Sequence, residues 1–254
     1  MSEKKISEIQ QEYKNIQLEG LPDFIEEYIN DGRPGVSKII GVAQKRMEKL
    51  RLERERIEKL KEFENNYWNE YEYIGGIDEV GCGPLAGPVV TACVILPKDC
   101  SILYINDSKK LSAAKREELY DTIMEQAVSV SIGVVSEARI DEINILQATY
   151  EAMRQAISEA TVEPQLLLND AVTIPGVNIK QVPIIKGDAK SISIGAASII
   201  AKVTRDRMMV ESESIYPEYN FASNKGYGSA EHIAALREFG PCPIHRRSFI
   251  GNFV

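Results

Sequence analysis

From Tyr73 onward the chain alternates apolar runs with amphipathic stretches, and the part before it follows a different rhythm. Tyr73 to Asp78 reads as a strand, and Pro88 to Leu96 (PVVTACVIL) is so nearly all apolar that it reads as a second, buried one. Ser112 is placed to cap a helix running to about Ala127, with Leu119, Ile123 and Ala127 at helical spacing. Val128 to Val135 (VSVSIGVV) alternates as a third strand. Ile143, Leu146, Tyr150, Met153 and Ile157 recur every three or four residues, which predicts one amphipathic helix. Two short strands follow, Gln165 to Asn169 and Asn178 to Ile185. Helices are then predicted over Ser191 to Glu211 and Ser229 to Phe239, the last stopped by Gly240-Pro241. This order predicts an α/β fold with a mixed sheet flanked by helices.

Before Tyr73 the pattern is helical. Leu21-Pro22-Asp23 opens a short helix with Phe24, Ile25, Tyr28 and Ile29 on one side, and Asp31-Gly32 closes it. From Ser37 to Glu64 only Gly41 interrupts a run dense in Lys, Arg and Glu. Met47, Leu50, Ile57, Leu60 and Phe63 form a narrow apolar stripe through it. That predicts one long, mostly solvated helix. A charge-laced surface helix is the plain reading and a basic arm touching a phosphate backbone the alternative, because basic residues only slightly outnumber acidic ones between Gln44 and Asn65.

Length and charge narrow the function classes. The 254 residues fit one generous domain, or an ordinary domain plus an accessory segment. A net charge of -8 argues against coating nucleic acid or a membrane through bulk positive charge. It leaves room for a nuclease whose bound metal ions supply local positive charge. No run of 18 apolar residues is present and the N-terminus has no apolar signal core, so a cytoplasmic protein without a membrane span is expected. The four cysteines form no CxxC pair and read as reduced thiols. Two histidines, His232 and His245, are too few for a His-based zinc site.

The chemistry concentrates in Gly75-Gly76-Ile77-Asp78-Glu79-Val80-Gly81-Cys82-Gly83-Pro84-Leu85-Ala86-Gly87-Pro88. Two acids end an apolar strand beside a Gly-rich loop. Consecutive strand residues point to opposite faces, so both acids reach one metal only if a bulge or bend re-aims one of them. Gly81 and Gly83 let a ligand approach bare N–H groups. Alone, the segment reads equally well as a polar strand end and a tight turn. Asp170 ends the apolar run Leu166-Leu167-Leu168-Asn169, and Asp188 follows the strand Val182-Pro183-Ile184-Ile185. Gathered at one sheet edge, these four carboxylates would raise one another's pKa unless cations neutralise them. Oxygen-only ligation favours Mg²⁺ or Mn²⁺ over zinc. Two such ions about 4 Å apart would clamp the attacking water and the leaving oxygen of a phosphodiester.

These residues carry a family resemblance. GIDEVGCGPLAGPVV, NDSKKLS (Asn106 to Ser112), LLLND (Leu166 to Asp170), KGDAKSISIGAASIIAKVTRD (Lys186 to Asp206), NKGYGSAEH (Asn224 to His232) and HRRSF (His245 to Phe249) resemble ribonuclease HII over residues 71–254. The resemblance implies an RNase H-like mixed five-stranded sheet flanked by helices. It also implies cleavage of the RNA strand of RNA–DNA hybrids, and at ribonucleotides embedded in duplex DNA, with Mg²⁺ or Mn²⁺, leaving 3′-hydroxyl and 5′-phosphate ends. Asp78, Glu79, Asp170 and Asp188 then look like the catalytic, metal-binding carboxylates. The Asp at the fourth place fits ribonuclease HII better than ribonuclease HIII, which ends its quartet with Glu. Residues 71–254 would form the catalytic domain and residues 1–70 a helical accessory segment.

Substrate contacts follow from the same resemblance. Gly81, Cys82 and Gly83 match a loop whose backbone reads the 2′-hydroxyl, the group that separates RNA from DNA. Tyr227 matches a tyrosine that stacks on deoxyribose beyond the RNA–DNA junction, although a half-buried loop Tyr is the plain alternative. Lys109 and Lys110 look like phosphate contacts, or lysines exposed for solubility. Of Ser191, Lys202 and Arg205, one or two would support the site, with Ser191 taken as a substrate contact. His232 would pack or cap the last helix. The chain departs from the family at Cys82, where a basic residue is usual. A monomer is expected. Two other functions compete: another RNase H-like nuclease of the junction-resolvase type, and a hybrid-binding protein weakened in catalysis.

Overall fold

The computed structural model describes residues 4–254, so the first three residues of the N-terminal stretch read above lie outside it. The chain divides into two compact units, one ending at Glu58 and the other running Lys59–Val254.

The first unit is helical. It holds α1 (Ile6–Asn15), α2 (Leu21–Tyr28) and most of α3 (Pro34–Leu60). Ile9, Leu21, Phe24, Tyr28, Val36, Ile40 and Ala43 make its core, each large side chain contributing roughly 1.5–3 kcal/mol on burial. Helix α1 was not foreseen in the sequence. Farther along α3, Arg51 pairs with Glu48 at 2.7 Å and with Glu55, and Arg56 pairs with Glu53 at 2.7 Å. The Arg51 pairs are exposed and contribute only about 0.3–0.5 kcal/mol each, so they solvate the helix more than they hold it, whereas the Arg56–Glu53 pair is half-buried. The single helix predicted to Glu64 breaks at Lys61 (φ -86°, ψ 2°), and α4 (Glu62–Tyr67) follows.

The second unit is built on a five-stranded mixed sheet. In chain order its elements are β1 (Ile74–Val80), β2 (Val89–Ile95), α5 (Ala113–Gln126), β3 (Ser129–Val135), α6 (Glu137–Ile143), α7 (Ile145–Ser158), β4 (Leu166–Asp170) and β5 (Lys180–Ile184). Then come α8 (Ile192–Glu213), α9 (Phe221–Asn224), α10 (Ala230–Phe239) and α11 (Arg247–Ile250). The strand order is β3-β2-β1-β4-β5. β1, β2 and β3 pair antiparallel, while β4 runs parallel to both β1 and β5.

Helices cover both faces. Ile77 and Leu167 meet Met153 and Ala156 of α7 on one face. On the other, Ile74, Leu166 and Leu168 pack with Ile194 of α8 and with Trp68. α8 lies directly on β1, because a Cβ on Gly76 would stand 2.1 Å from the Ser193 carbonyl carbon. The sequence pattern predicted one helix from Ile143; the structure has two. Asn144 takes φ 68°, which ends α6, and its side chain accepts from Gln147 N at 3.2 Å to start α7. Its ψ of 163° lies outside the left-handed helical region, so the chain cannot continue α6, and Asn is a good N-cap, so one residue ends one helix and starts the next.

Candidate active site

β1 and β4 run parallel, so both strands end at the same edge of the sheet. Ile77 is the Cα partner of Asn169, which sets Asp170 beside Asp78. Asp188 lies in the 3-10 turn Gly187–Ala189 just beyond β5. The Gly187 N–H donates to Asp170 Oδ1 at 2.8 Å and fixes that turn against the end of β4. One expectation needs correction. The β1–β2 ladder is continuous through Asp78↔Ala92 and Glu79↔Thr91, so no bulge separates the two acids. Asp78 shares the α8 face with Gly76, and Glu79 the α7 face with Ile77. No kink re-aims either acid: both lie in a continuous ladder, just past the last paired residues of β1 and β4.

Burial and neighbouring charges act together on three of these carboxyls. Burial pushes the Asp78 carboxyl well above the ordinary range, the Glu79 and Asp170 charges push it further, and the Ser198 hydroxyl opposes them. Glu79 is raised by burial, then by Asp170 and Asp188, with Lys109 opposing. Asp188 is raised by burial, then by Asp107 and Asp170, again with Lys109 opposing. Asp107 was not singled out in the sequence. Its carboxylate accepts from the main-chain N–H of Lys109 at 2.9 Å and lies 3.6 Å from Lys110 Nζ, so the Lys110 side chain faces an acid of its own turn.

Among the described residues no three His, Cys, Asp or Glu side chains converge into a ready-made metal cage. The donor set still fits a hard divalent cation. It is all oxygen, crowded and charged against its own burial. Mg²⁺ keeps several waters and is held by one or two carboxylates plus substrate phosphate, so it needs no closed protein cage.

The loop after β1 supplies a second kind of surface. Gly81 has φ +97°, and a Cβ there would stand 2.5 Å from Arg205 Nε. Gly83 is different, because a Cβ on it would meet nothing within 4 Å. Among the described residues the main-chain N–H groups of Gly81, Cys82 and Gly83 donate no hydrogen bond to the rest of the chain. The half-buried Cys82 thiol turns inward, 3.6 Å from Thr149 Oγ1 and 3.9 Å from Glu79 Oε1. Tyr227 stands 40% exposed, with Lys202 Nζ and the Arg205 guanidinium each 5.8 Å from its ring centre.

Comparison with known proteins decides the family. A family model described as Ribonuclease HII matches residues 75–252. The chain belongs to the ribonuclease HII family. A second model, Ribonuclease HII N-terminal domain, matches residues 5–68. The chain is 64% identical to a ribonuclease HII of Lachnoclostridium phytofermentans, covering 98% of each chain. It is 49% identical to that of Clostridioides difficile over the full length of both. Among solved structures it resembles the ribonuclease H2 of Pyrococcus horikoshii OT3, with TM-score 0.57 and 27% identity, covering 69% of this chain and 93% of that one. Family membership makes the chain a ribonuclease H, an endonuclease that hydrolyses phosphodiesters.

Within this ribonuclease HII framework several residues differ from their sequence-based roles. Ser191 is fully buried. Its Oγ accepts from Ile194 N at 3.2 Å as the N-cap of α8 and donates to Glu64 Oε1 at 2.5 Å. That leaves it no hydroxyl for a substrate. Glu64 went unnoticed in the sequence because it lies among many surface acids, yet it is fully buried and also accepts from Ser193 N at 3.0 Å. Lys202 is tied to Asp206 at 2.8 Å. Ser229, not His232, caps α10. The His232 ring packs edge-on against Phe221 and lies 2.9 Å, nitrogen to nitrogen, from His245.

Proposed function

We propose that the chain cleaves the RNA strand of RNA–DNA hybrids, and at single ribonucleotides embedded in duplex DNA, by hydrolysis that leaves 3′-hydroxyl and 5′-phosphate ends. The observation that carries this reading is the four-acid edge lying beside a loop with unused N–H donors. Asp78, Glu79, Asp170 and Asp188 would hold Mg²⁺ or Mn²⁺. Held by these carboxylates, two such ions would supply a polarised attacking water and charge stabilisation at the leaving 3′-oxygen, with no covalent enzyme intermediate.

The remaining roles belong to protein groups. Asp170 orients the Asp188 turn through Gly187. The backbone of Gly81, Cys82 and Gly83 presents donors where a ribose 2′-hydroxyl or a phosphate oxygen would lie, a position that tells RNA from DNA. Tyr227 offers an exposed ring for stacking on deoxyribose, and base or sugar stacking on an aromatic side chain contributes about 1–3 kcal/mol. Lys109 and Lys110 add positive charge at the rim. Ser191 is left out of this set because its hydroxyl is committed to Glu64.

The test is a cleavage panel: a full hybrid, a duplex with one ribonucleotide, an all-DNA duplex and an all-DNA junction, each with Mg²⁺, with Mn²⁺ and with chelator. Cutting confined to ribonucleotide-containing substrates and dependent on metal is the expected result. Cutting of the all-DNA junction would favour a resolvase, and tight hybrid binding without cutting a weakened binding protein.

A further inference from the structure

Arg205 and Arg246 are both fully buried, and neither forms an ion pair among the described residues. Arg205, on α8, donates from Nε to Pro88 O at 2.9 Å, from Nη2 to Ala86 O at 3.0 Å and from Nη1 to Lys225 O at 2.9 Å. Arg246 donates from Nε to Gly87 O at 2.9 Å, from Nη2 to Gly81 O at 2.6 Å and to Gly87 O at 2.7 Å, and from Nη1 to Cys82 O at 3.2 Å. Every acceptor is a main-chain carbonyl. A buried guanidinium ordinarily meets a carboxylate, since an unpaired buried charge is costly. Here two of them lie under one loop.

The peptide unit turns this grip into an orientation. In a trans peptide the C=O of one residue and the N–H of the next point in opposite directions. Arg246 draws the Gly81 and Cys82 carbonyls inward, which aims the N–H groups of Cys82 and Gly83 outward, where no protein acceptor takes them. Gly81 has no room for a Cβ because the Arg205 side chain fills that space. Burial and the neighbouring Arg205 charge bring Arg246 down to about 10, so it keeps its proton at neutral pH. The acids whose fields reach it, Glu137 and Asp141, form no ion pair with it.

We propose that Arg246, backed by Arg205, is a positioning residue for substrate recognition: it aims the Cys82 and Gly83 N–H groups at an anionic phosphodiester oxygen and lends them its uncompensated charge. This rests on the reading that the Gly81–Gly83 loop faces the nucleic acid backbone, and it moves the source of charge from the loop's side chain to the layer beneath. Arg205 also holds the Lys225 carbonyl, so the same layer joins this loop to the turn that carries Tyr227.

The experiment uses the full chain with Mn²⁺ and a set of hybrids, each with one phosphate of the RNA strand near the cut replaced by a neutral methylphosphonate. In the wild type, one position is expected to raise KM by about tenfold, the scale of a lost charge-assisted contact. In R246Q that penalty should shrink to under about threefold, and R246K, which keeps charge without the fork, should fall between. An R246Q that is slower on every substrate but keeps the full penalty would overturn the proposal, as would a wild-type scan with no sensitive phosphate. If Arg246 variants do not fold, Glu137→Gln serves, since it removes an opposing charge; an unchanged KM and penalty there overturns the proposal, and a lower KM with a larger penalty supports it. A wild type that cuts no hybrid would instead fail the functional reading itself.

Discussion

The main-chain N–H of Gly187 donates to Asp170 Oδ1 at 2.8 Å, so the turn that carries Asp188 hangs on the acid that ends β4. Asp170 therefore has a structural task beside its proposed chemical one, and two substitutions separate them. Asp170→Asn keeps an acceptor oxygen and should melt close to wild type. Its activity should fall by at least about 10–100-fold, the penalty typical even of groups one layer out from a metal. Asp170→Ala should lose activity and a further 1–3 kcal/mol or so through the orphaned N–H. Melting curves beside steady-state rates check this; equal melting of the two variants removes the structural half.

The raised Asp78 carboxyl makes a stability prediction of unusual sign. A carboxyl lifted above its ordinary value of 3.8 contributes stability only at low pH and costs stability as pH rises through its folded value. In chelator at neutral pH, Asp78→Asn should thus melt above wild type, each 1 kcal/mol gained giving about 2–4 °C in a chain of this size. The same variant should lose cleavage and much of the Mg²⁺-induced rise in Tm, since binding to the folded state is what stabilises it. A lower Tm than wild type in chelator would contradict the argument from burial and neighbouring charge.

Gly81 and Gly83 should respond in opposite ways. Gly81→Ala forces a side chain into φ +97° and against the Arg205 side chain, so a loss of roughly 1–3 kcal/mol is expected. Gly83→Ala meets no atom within 4 Å and should fold normally. Its methyl group would occupy space left for the substrate, so KM should rise at unchanged Tm. Denaturant midpoints and kinetics on a full hybrid distinguish the two.

The histidine pair predicts acid sensitivity. His232 Nδ1–H donates to the Tyr227 carbonyl at 2.9 Å, so its Nε2 must accept from His245 Nε2–H at 2.9 Å. His245 Nδ1 then accepts from Cys242 N–H at 3.0 Å. Burial, then the neighbouring His232, push His245 from 6.5 to about 4. Because the unfolded chain takes up the proton first, stability is complete above about pH 6.5 and falls as pH drops toward 4, by on the order of 3 kcal/mol. His245→Gln should flatten that part of a stability–pH curve measured in urea; an unchanged slope counts against it.

Cys82 tests the departure from the family loop. Its thiol packs toward Thr149 and Glu79, so it offers no charge to a phosphate. Cys82→Arg is expected to lower KM on a single-ribonucleotide duplex, since one added charge-assisted contact contributes about 1.5–3 kcal/mol. Equal KM and kcat for the two proteins would end the idea.

Much of this was legible along the chain. Alternation and apolar runs placed all five strands to within about two residues, because a strand's burial pattern repeats locally. Ser112 announced its helix because a cap bonds only two or three residues ahead. The four acids stood out because each closes or follows an apolar strand, where a bland sequence would put a turn.

What the chain alone determined, then, was which residues form strands and helices and which acids stand at their ends, since both depend on near neighbours. The tertiary structure decided how they meet. Only the parallel pairing of β1 with β4 sets Asp78 beside Asp170, and only the unbroken ladder shows that Asp78 and Glu79 approach from opposite faces. Ser191 caps α8 by a local bond, but its hydroxyl is spent because Glu64, far away in sequence, accepts from it. Arg205 stood in the sequence among three candidate supports of the site and Arg246 drew no role of its own; both became the buried support of a loop because their carbonyl partners arrive from distant segments. Hydrogen-bond donors and charges find their partners in space, and no local pattern records who those partners will be.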